Sequence, residues 1–171
     1  EIKKTGFERV VHMGMGGSSL AALVFARTFS SKKGLPLTIL DTTDPESIRS
    51  IERALPPEKT LFIVASKSGN TAEPLAFMDY FFERVKLIKG KSAGENFIAI
   101  TDHGSSLEKN AEEQGFRRIF LNPSDIGGRY SALSYFGLIP AALMGVDIRE
   151  VLNRAIQAAH KSTSSIPGFD S

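Results

Sequence analysis

Ser66, Lys67, Ser68 and Thr71 bring three hydroxyls and one cation into the short run Ser66-Lys67-Ser68-Gly69-Asn70-Thr71, which Ala72-Glu73-Pro74 follows. Small alcohols donate to phosphate oxygens. A turn that opens a helix adds unpaired amides and partial positive charge. So many donors with one long cation suit a phosphate monoester. Gly69 permits a tight turn, Asn70 or Thr71 can cap the helix, and Pro74 falls where a missing N–H costs little. An ordinary capped turn draws on the same residue types and is the competing reading. A second group, Gly14-Met15-Gly16-Gly17-Ser18-Ser19, lets backbone approach a ligand closely. It is an incomplete dinucleotide fingerprint, because Ser19 replaces the third glycine of G-x-G-x-x-G. Asp41 could still imitate the ribose-binding acid, but a hydroxyl-rich turn has no place in a nicotinamide site, so this glycine loop is set against a sugar. A third group, Asp125-Ile126-Gly127-Gly128-Arg129-Tyr130-Ser131, delivers a permanent cation from a close-lying backbone. Arg129 can stabilise negative charge on an oxygen, as an enediolate requires. Its structural alternative is a pairing with Asp125.

The elements that must position these groups are short apolar runs alternating with amphipathic segments. Strands are predicted over 9–13, 37–40, 61–65, 97–101 and 118–121. Their runs are continuously apolar, as in strands buried on both faces of a parallel sheet. Helical patterns cover 19–29, 45–54, 71–88 and 105–114, with two more over 131–144 and 148–161. Alternation with right-handed crossovers predicts an α/β fold, a three-layer αβα sandwich with a doubly wound, mostly parallel five-stranded sheet. In such a sheet the ligand sits at the carboxyl ends of the strands, near the point where strand order reverses. All three chemical groups directly follow predicted strands.

The chain of 171 residues suits one compact domain, with 42% hydrophobic and 23% charged residues and a formal charge of +2. No basic stripe of the kind that tracks nucleic acid is present, and the densest basic stretch, Arg84 to Lys91, falls at a helix end, where cations complement the dipole. The absence of cysteine excludes disulfides, thiol catalysis and zinc–thiolate sites. The longest apolar stretch, 136–146, is broken by Pro140 and is far shorter than a membrane span of roughly 20 residues. No signal peptide is read ahead of the first strand, and a cytosolic protein is expected. Residues 1–161 are expected to form one domain and 162–171 a linker or truncated end.

Taken together, Gly14-Met15-Gly16-Gly17-Ser18, Ser66-Lys67-Ser68-Gly69-Asn70-Thr71 and Gly127-Gly128-Arg129-Tyr130-Ser131 resemble the successive motifs of phosphoglucose isomerases, from about Val10 to Ile156. The middle motif alone is the sugar isomerase (SIS) domain signature shared by many phosphosugar binders. Gly128-Arg129 with Ser131-Ala132-Leu133-Ser134 and Gly137-Leu138 narrows the resemblance to this family. Ser68-Gly69-Asn70 departs from the Thr-Phe-Thr of animal-type enzymes, which points to a divergent prokaryotic enzyme, with a fused transaldolase one arrangement for it. The resemblance implies that Ser66, Lys67, Ser68 and Thr71 cradle the 6-phosphate of glucose 6-phosphate or fructose 6-phosphate. It places Gly16, Gly17, Ser18, Glu73 and Gly128 along the sugar and gives Arg129 the enediolate. It implies no metal and no organic cofactor. The partners it implies are a C-terminal SIS half and a second subunit in a homodimer, with no nucleic acid and no membrane.

The family's base, a glutamate, and its ring-opening histidine have no matching motif here. His12 is read as a packed strand histidine, His103 as a weak candidate at the ligand edge, His160 as a solvated helix residue, and Glu73 as an acid near the substrate. A general base must reach its proton directly or through one water, so the chain is expected to bind without turning over. The rival readings are a stand-alone SIS sensor of phosphosugars and, less favoured, a nucleotide-binding oxidoreductase.

Overall fold

The computed structural model describes residues 5–29 and 33–163. Five strands form one sheet: β1 (Arg9–Gly14), β2 (Leu37–Leu40), β3 (Thr60–Ala65), β4 (Phe97–Asp102) and β5 (Arg118–Asn122). Six α-helices separate or follow them: α1 (Gly17–Thr28), α2 (Pro45–Ala54), α3 (Ala72–Lys89), α4 (Ser106–Glu113), α5 (Tyr135–Leu143) and α6 (Ile148–Thr163). The strand order is β2-β1-β3-β4-β5, and every neighbouring pair runs parallel. The expected three-layer α/β sandwich is what forms.

The middle strands explain the unbroken apolar runs. All six residues of β3 are buried, and so are the apolar residues of β1 and β4. Alternate side chains divide between the two faces. Val11, Met13, Phe62, Val64, Phe97 and Ala99 pack with Phe77, Phe81 and Val85 of α3 and Leu107 of α4. Phe62 stacks on Phe81 and Phe97 at centroid separations of 5.0 and 4.9 Å. On the other face Val10, Leu61, Ile63, Ile98 and Ile100 meet Phe136 of α5, and Phe25 of α1 packs with Ala141 and Met144. β5, at an edge, is only partly covered.

The chain therefore leaves β1 for α1 on one face and β3 for α3 on the other. Because β1 lies between β2 and β3, sequence order reverses there, and it is at the carboxyl ends of two such strands, here β1 and β3, that folds of this kind place their ligand crevice. The order 2-1-3-4-5 is the flavodoxin-like one, distinct from the 3-2-1-4-5 of dinucleotide folds.

Two boundaries differ from expectation. The pattern over 131–144 is not one helix: a 3-10 helix, Gly128–Leu133, precedes α5, and Ser134 between them is extended. The hydroxyls of Ser131 and Ser134 donate to the carbonyls of Gly128 and Ser131 at 2.6 and 2.9 Å. That local bonding competes with a regular helix. At the other end α6 continues through Thr163, two residues into the segment read as a linker, and 164–171 lie outside the described residues. The basic stretch ending α3 is engaged locally: Arg84 pairs with Glu52, Lys86 with Glu83, and Lys89 donates to Asn96.

Candidate functional site

The turn after β3 opens the crevice. Ser66 is buried, and its hydroxyl donates to the Thr71 hydroxyl at 3.1 Å. Ser68 is exposed, and its Oγ accepts from the Asn70 amide at 3.3 Å. Gly69 has φ of 70°, and a Cβ there would meet Ser105 Cβ at 2.6 Å, so only glycine fits the turn. The expectation that Asn70 or Thr71 caps the helix fails. Thr71 occupies the N-cap of α3 without a side-chain cap bond: the third helical residue is Pro74, which has no N–H to donate, and the Thr71 hydroxyl accepts from Ser66 instead. The Asn70 Oδ1 accepts instead from the Ser106 hydroxyl at 2.5 Å. The Ala72 and Glu73 amides at the start of α3 therefore keep their donors, and the helix end its partial positive charge.

Lys67 takes a direction that sequence alone does not give. Its ammonium forms an ion pair with Asp102 at the end of β4 and donates to the Ser124 carbonyl at 2.8 Å. The two charged side chains are 29% and 19% exposed, so the cation is largely spent on the protein.

The glycine turn after β1 lies beside this one, since Gly14 is paired with Ala65 in the sheet. Gly16 is the N-cap of α1, Gly17 and Ser18 begin it, and no side chain caps it. His12 is fully buried, and its Nε2 donates to the Ser18 carbonyl at 2.8 Å, while Nδ1 has no partner among the described residues. Burial pushes the imidazole down to about 4, with the Ser18 bond and the Asp41 charge opposing less strongly, so it is neutral at ordinary pH. His12 is thus the packed strand histidine expected, with the added task of holding the carbonyl of a site residue.

The third loop reaches the same place by backbone contact. A Cβ on Gly17 would lie 2.8 Å from the carbonyl carbon of Gly128, and one on Gly128 would lie 3.2 Å from the Gly17 Cα. Only paired glycines allow this approach, and it brings the start of α1 against the segment that carries Arg129. Arg129 is exposed and has no ion pair or hydrogen bond among the described residues, Asp125 included. Glu73, the second residue of α3, is half-buried.

Among the other candidates, His103 is 85% exposed and faces Glu108 at 3.2 Å, and His160 is an exposed residue of α6. No cluster of three His, Cys, Asp or Glu that could hold a metal occurs among the described residues. Sequence reasoning missed the support behind the turn after β3. Ser106 Oγ lies 2.5 Å from the Gly69 carbonyl oxygen as well, its one proton shared between that oxygen and Asn70 Oδ1, Ser105 Oγ caps α4 at Glu108, and Thr101 Oγ1 lies 2.8 Å from Ser105 Oγ. The signal was present in Thr101-Asp102-His103-Gly104-Ser105-Ser106, a hydroxyl-rich run that also follows a strand.

Fold and site together define a doubly wound α/β domain whose strand-order reversal is framed by an uncapped, hydroxyl-lined helix start and a glycine turn. Residues 3–165 match the phosphoglucose isomerase family, and the chain belongs to it. It is 40% identical over 151 residues to a glucose-6-phosphate isomerase of Prochlorococcus marinus (strain NATL2A), across 86% of this chain and 29% of that protein. The crystal structure of a hypothetical protein from Thermus thermophilus superposes with a TM-score of 0.87 at 35% identity, over 96% of this chain and 39% of that one. A glucose-6-phosphate isomerase from Chlamydia trachomatis D/UW-3/Cx gives 0.71 at 32% identity, over 86% and 28%. The chain thus spans well under half the length of each of these relatives.

Proposed function

We propose that this chain is the phosphosugar-binding SIS half of a glucose-6-phosphate isomerase, interconverting glucose 6-phosphate and fructose 6-phosphate as part of the whole enzyme. The observation that carries the proposal is the uncapped start of α3, lined by Ser66, Ser68 and Thr71, beside the glycine turn at the strand-order reversal. The 6-phosphate lies on the amides and hydroxyls of that turn. Lys67 contributes its main-chain amide, because its ammonium is held by Asp102 and Ser124. Gly16, Gly17, Ser18, Gly128 and Glu73 flank the sugar.

The reaction removes the proton from C2 of the open-chain aldose, passes through a cis-enediolate and returns the proton to C1. Arg129 faces the enediolate oxygen, and its freedom from any protein partner among the described residues supports this role. The base and the ring-opening histidine come from outside these 171 residues, in a second SIS half and a neighbouring subunit of a homodimer. A cytoplasmic location goes with this reading, as does the finding that no helix among the described residues is long and apolar enough to cross a membrane.

Titration calorimetry with fructose 6-phosphate and with an enediolate-like hydroxamate tests the proposal. Ser68→Ala and Thr71→Ala each weaken both ligands about tenfold, the order expected for a hydrogen bond to a charged group. Arg129→Ala weakens the hydroxamate more than the sugar phosphate. A sensor module would show no such preference, and a folded chain that binds neither ligand would refute the assignment.

A further inference from the structure

The ion pair between Lys67 and Asp102 lies where β3 and β4, paired neighbours in the sheet, run out into their loops, and it reaches on toward the loop after β5. Lys67 belongs to the turn after β3, Asp102 ends β4, and the second acceptor of the ammonium, the Ser124 carbonyl, lies in the loop after β5. That last loop runs directly into Gly127-Gly128-Arg129. Main-chain contacts reinforce the near end of the bridge, since the Asp102 amide donates to the Lys67 carbonyl at 3.1 Å and Thr101 Oγ1 reaches the same oxygen at 3.4 Å. The far end is different: Pro123, Ser124 and Asp125 are exposed, and the main-chain bond within the segment closes a local turn, Ile126 N to the Pro123 carbonyl at 3.2 Å. Buried Asn122 holds the root of this loop, donating to the Pro123 carbonyl at 3.0 Å and accepting from the Tyr135 amide at 3.2 Å, and Gly17 meets it at Gly128; the Lys67 ammonium adds a tether from the turn after β3.

We propose that Lys67 and Asp102 are positioning residues: the paired ammonium straps the Arg129 loop to the turn that opens α3, setting the distance between oxyanion turn and arginine. This rests on the phosphosugar reading of the site. The physical logic is that an unpaired lysine in the turn would swing to a bound phosphate and release the loop. Asp102, anchored by its own main chain, keeps the charge facing Ser124 and leaves the phosphate to amides and hydroxyls.

The test has two arms on the intact chain. In the first, hydrogen–deuterium exchange of the free protein is followed over 123–130 in wild type, Lys67→Met, Lys67→Arg and Asp102→Asn. Lys67→Met and Asp102→Asn should speed exchange in that segment, with β1 and β3 unchanged, and Lys67→Arg should largely restore protection. In the second arm, affinity for inorganic phosphate and for fructose 6-phosphate is measured in Lys67→Met, Arg129→Ala and the double variant. Lys67→Met should leave inorganic phosphate nearly unaffected and weaken fructose 6-phosphate roughly three- to tenfold. The two substitutions should be non-additive, as for groups acting through one another. A loss of inorganic phosphate binding as large as that of the sugar phosphate would mean the ammonium meets phosphate directly, and the strap would be wrong. Unchanged exchange with additive effects would also overturn it. If wild type binds neither probe, the proposed function fails and the positioning role falls with it, an outcome distinct from a wild type that binds and is indifferent to Lys67. Asp102→Asn, which keeps volume and an acceptor, preserves the exchange arm should Lys67→Met fold poorly.

Discussion

Replacing His12 with glutamine should flatten the acid limb of the stability curve. The imidazole is fully buried and its ordinary value of 6.5 is pushed down to about 4 in the folded chain, chiefly by desolvation. Between those two values the unfolded chain binds a proton that the folded chain refuses, so unfolding is favoured by acid and stability rises with pH across this window. The full benefit is present above 6.5 and is lost as pH falls through about 4. Relative to neutral pH the loss amounts to about 2 kcal/mol at pH 5 and about 3 kcal/mol at pH 4, each tenfold difference in proton affinity being worth roughly 1.4 kcal/mol. Protonation need not break the Nε2 bond to Ser18, because the cation still donates there. The cost lies in burying a charge whose Nδ1 proton meets no acceptor among the described residues. The glutamine amide retains a donor and does not titrate. Urea unfolding of wild type and His12→Gln from pH 7.5 to 4 gives the comparison, and carboxylates common to both cancel in the difference. A difference that stays constant across that range would show that the histidine is hydrated or shares its charge, and the account of its burial would fail.

Gly17→Ala should lower stability by about 1–3 kcal/mol, the range for forcing atoms into a close-packed contact. The new Cβ would stand 2.8 Å from the Gly128 backbone, which has no flexible end to yield. A thermal melt measures the loss, and fructose 6-phosphate binding should weaken with it. Asn96→Ala should cost about 2–4 kcal/mol and leave ligand binding untouched. Buried Asn96 donates to the carbonyls of Pro57, Glu58 and Thr60 and accepts from Lys89 at the amino end of β4, opposite the crevice. Denaturant midpoints paired with calorimetry would expose a misplaced site if both fell together.

Fold class could be read from the chain because burial on both faces writes itself locally. Leu61-Phe62-Ile63-Val64-Ala65 has no polar alternation to be mistaken for a half-solvated strand, and all of it is buried. The groups forming the site were equally legible, because two of them directly follow a strand and the third lies in the loop after β5. What could not be read is where each side chain turns. Lys67 faces Asp102, 35 positions on, and the Ser124 carbonyl, 57 positions on, choices that depend on β3, β4 and β5 being neighbours. The capping role given to Asn70 failed for the same reason, since Ser106 from the next loop claims the asparagine, whereas Thr71 does sit at the N-cap and lacks a cap bond for a local cause. The misjudged start of α5 has a local cause: serine hydroxyls bond main chain in ways that hydrophobic periodicity does not register.

The partners divide the site into two populations. His12, Lys67, Asn70, Asp102, Ser105 and Ser106 all have acceptors or donors inside the protein, and those bonds tie the strand ends, the loops after them and the helix starts to one another. Arg129 has none among the described residues, and the start of α3 has no side-chain cap. A ligand that met mobile loops would have to order them at its own expense, at about 0.5–1.5 kcal/mol for each immobilised side chain. Here the close contacts of Gly17 with Gly128 and of Gly69 with Ser105, together with the Lys67 bridge, hold the loops against one another before a ligand arrives. The glycines act through the room they leave rather than through any group they carry, and a single methyl at either contact would push apart backbone on which the donors to a ligand depend.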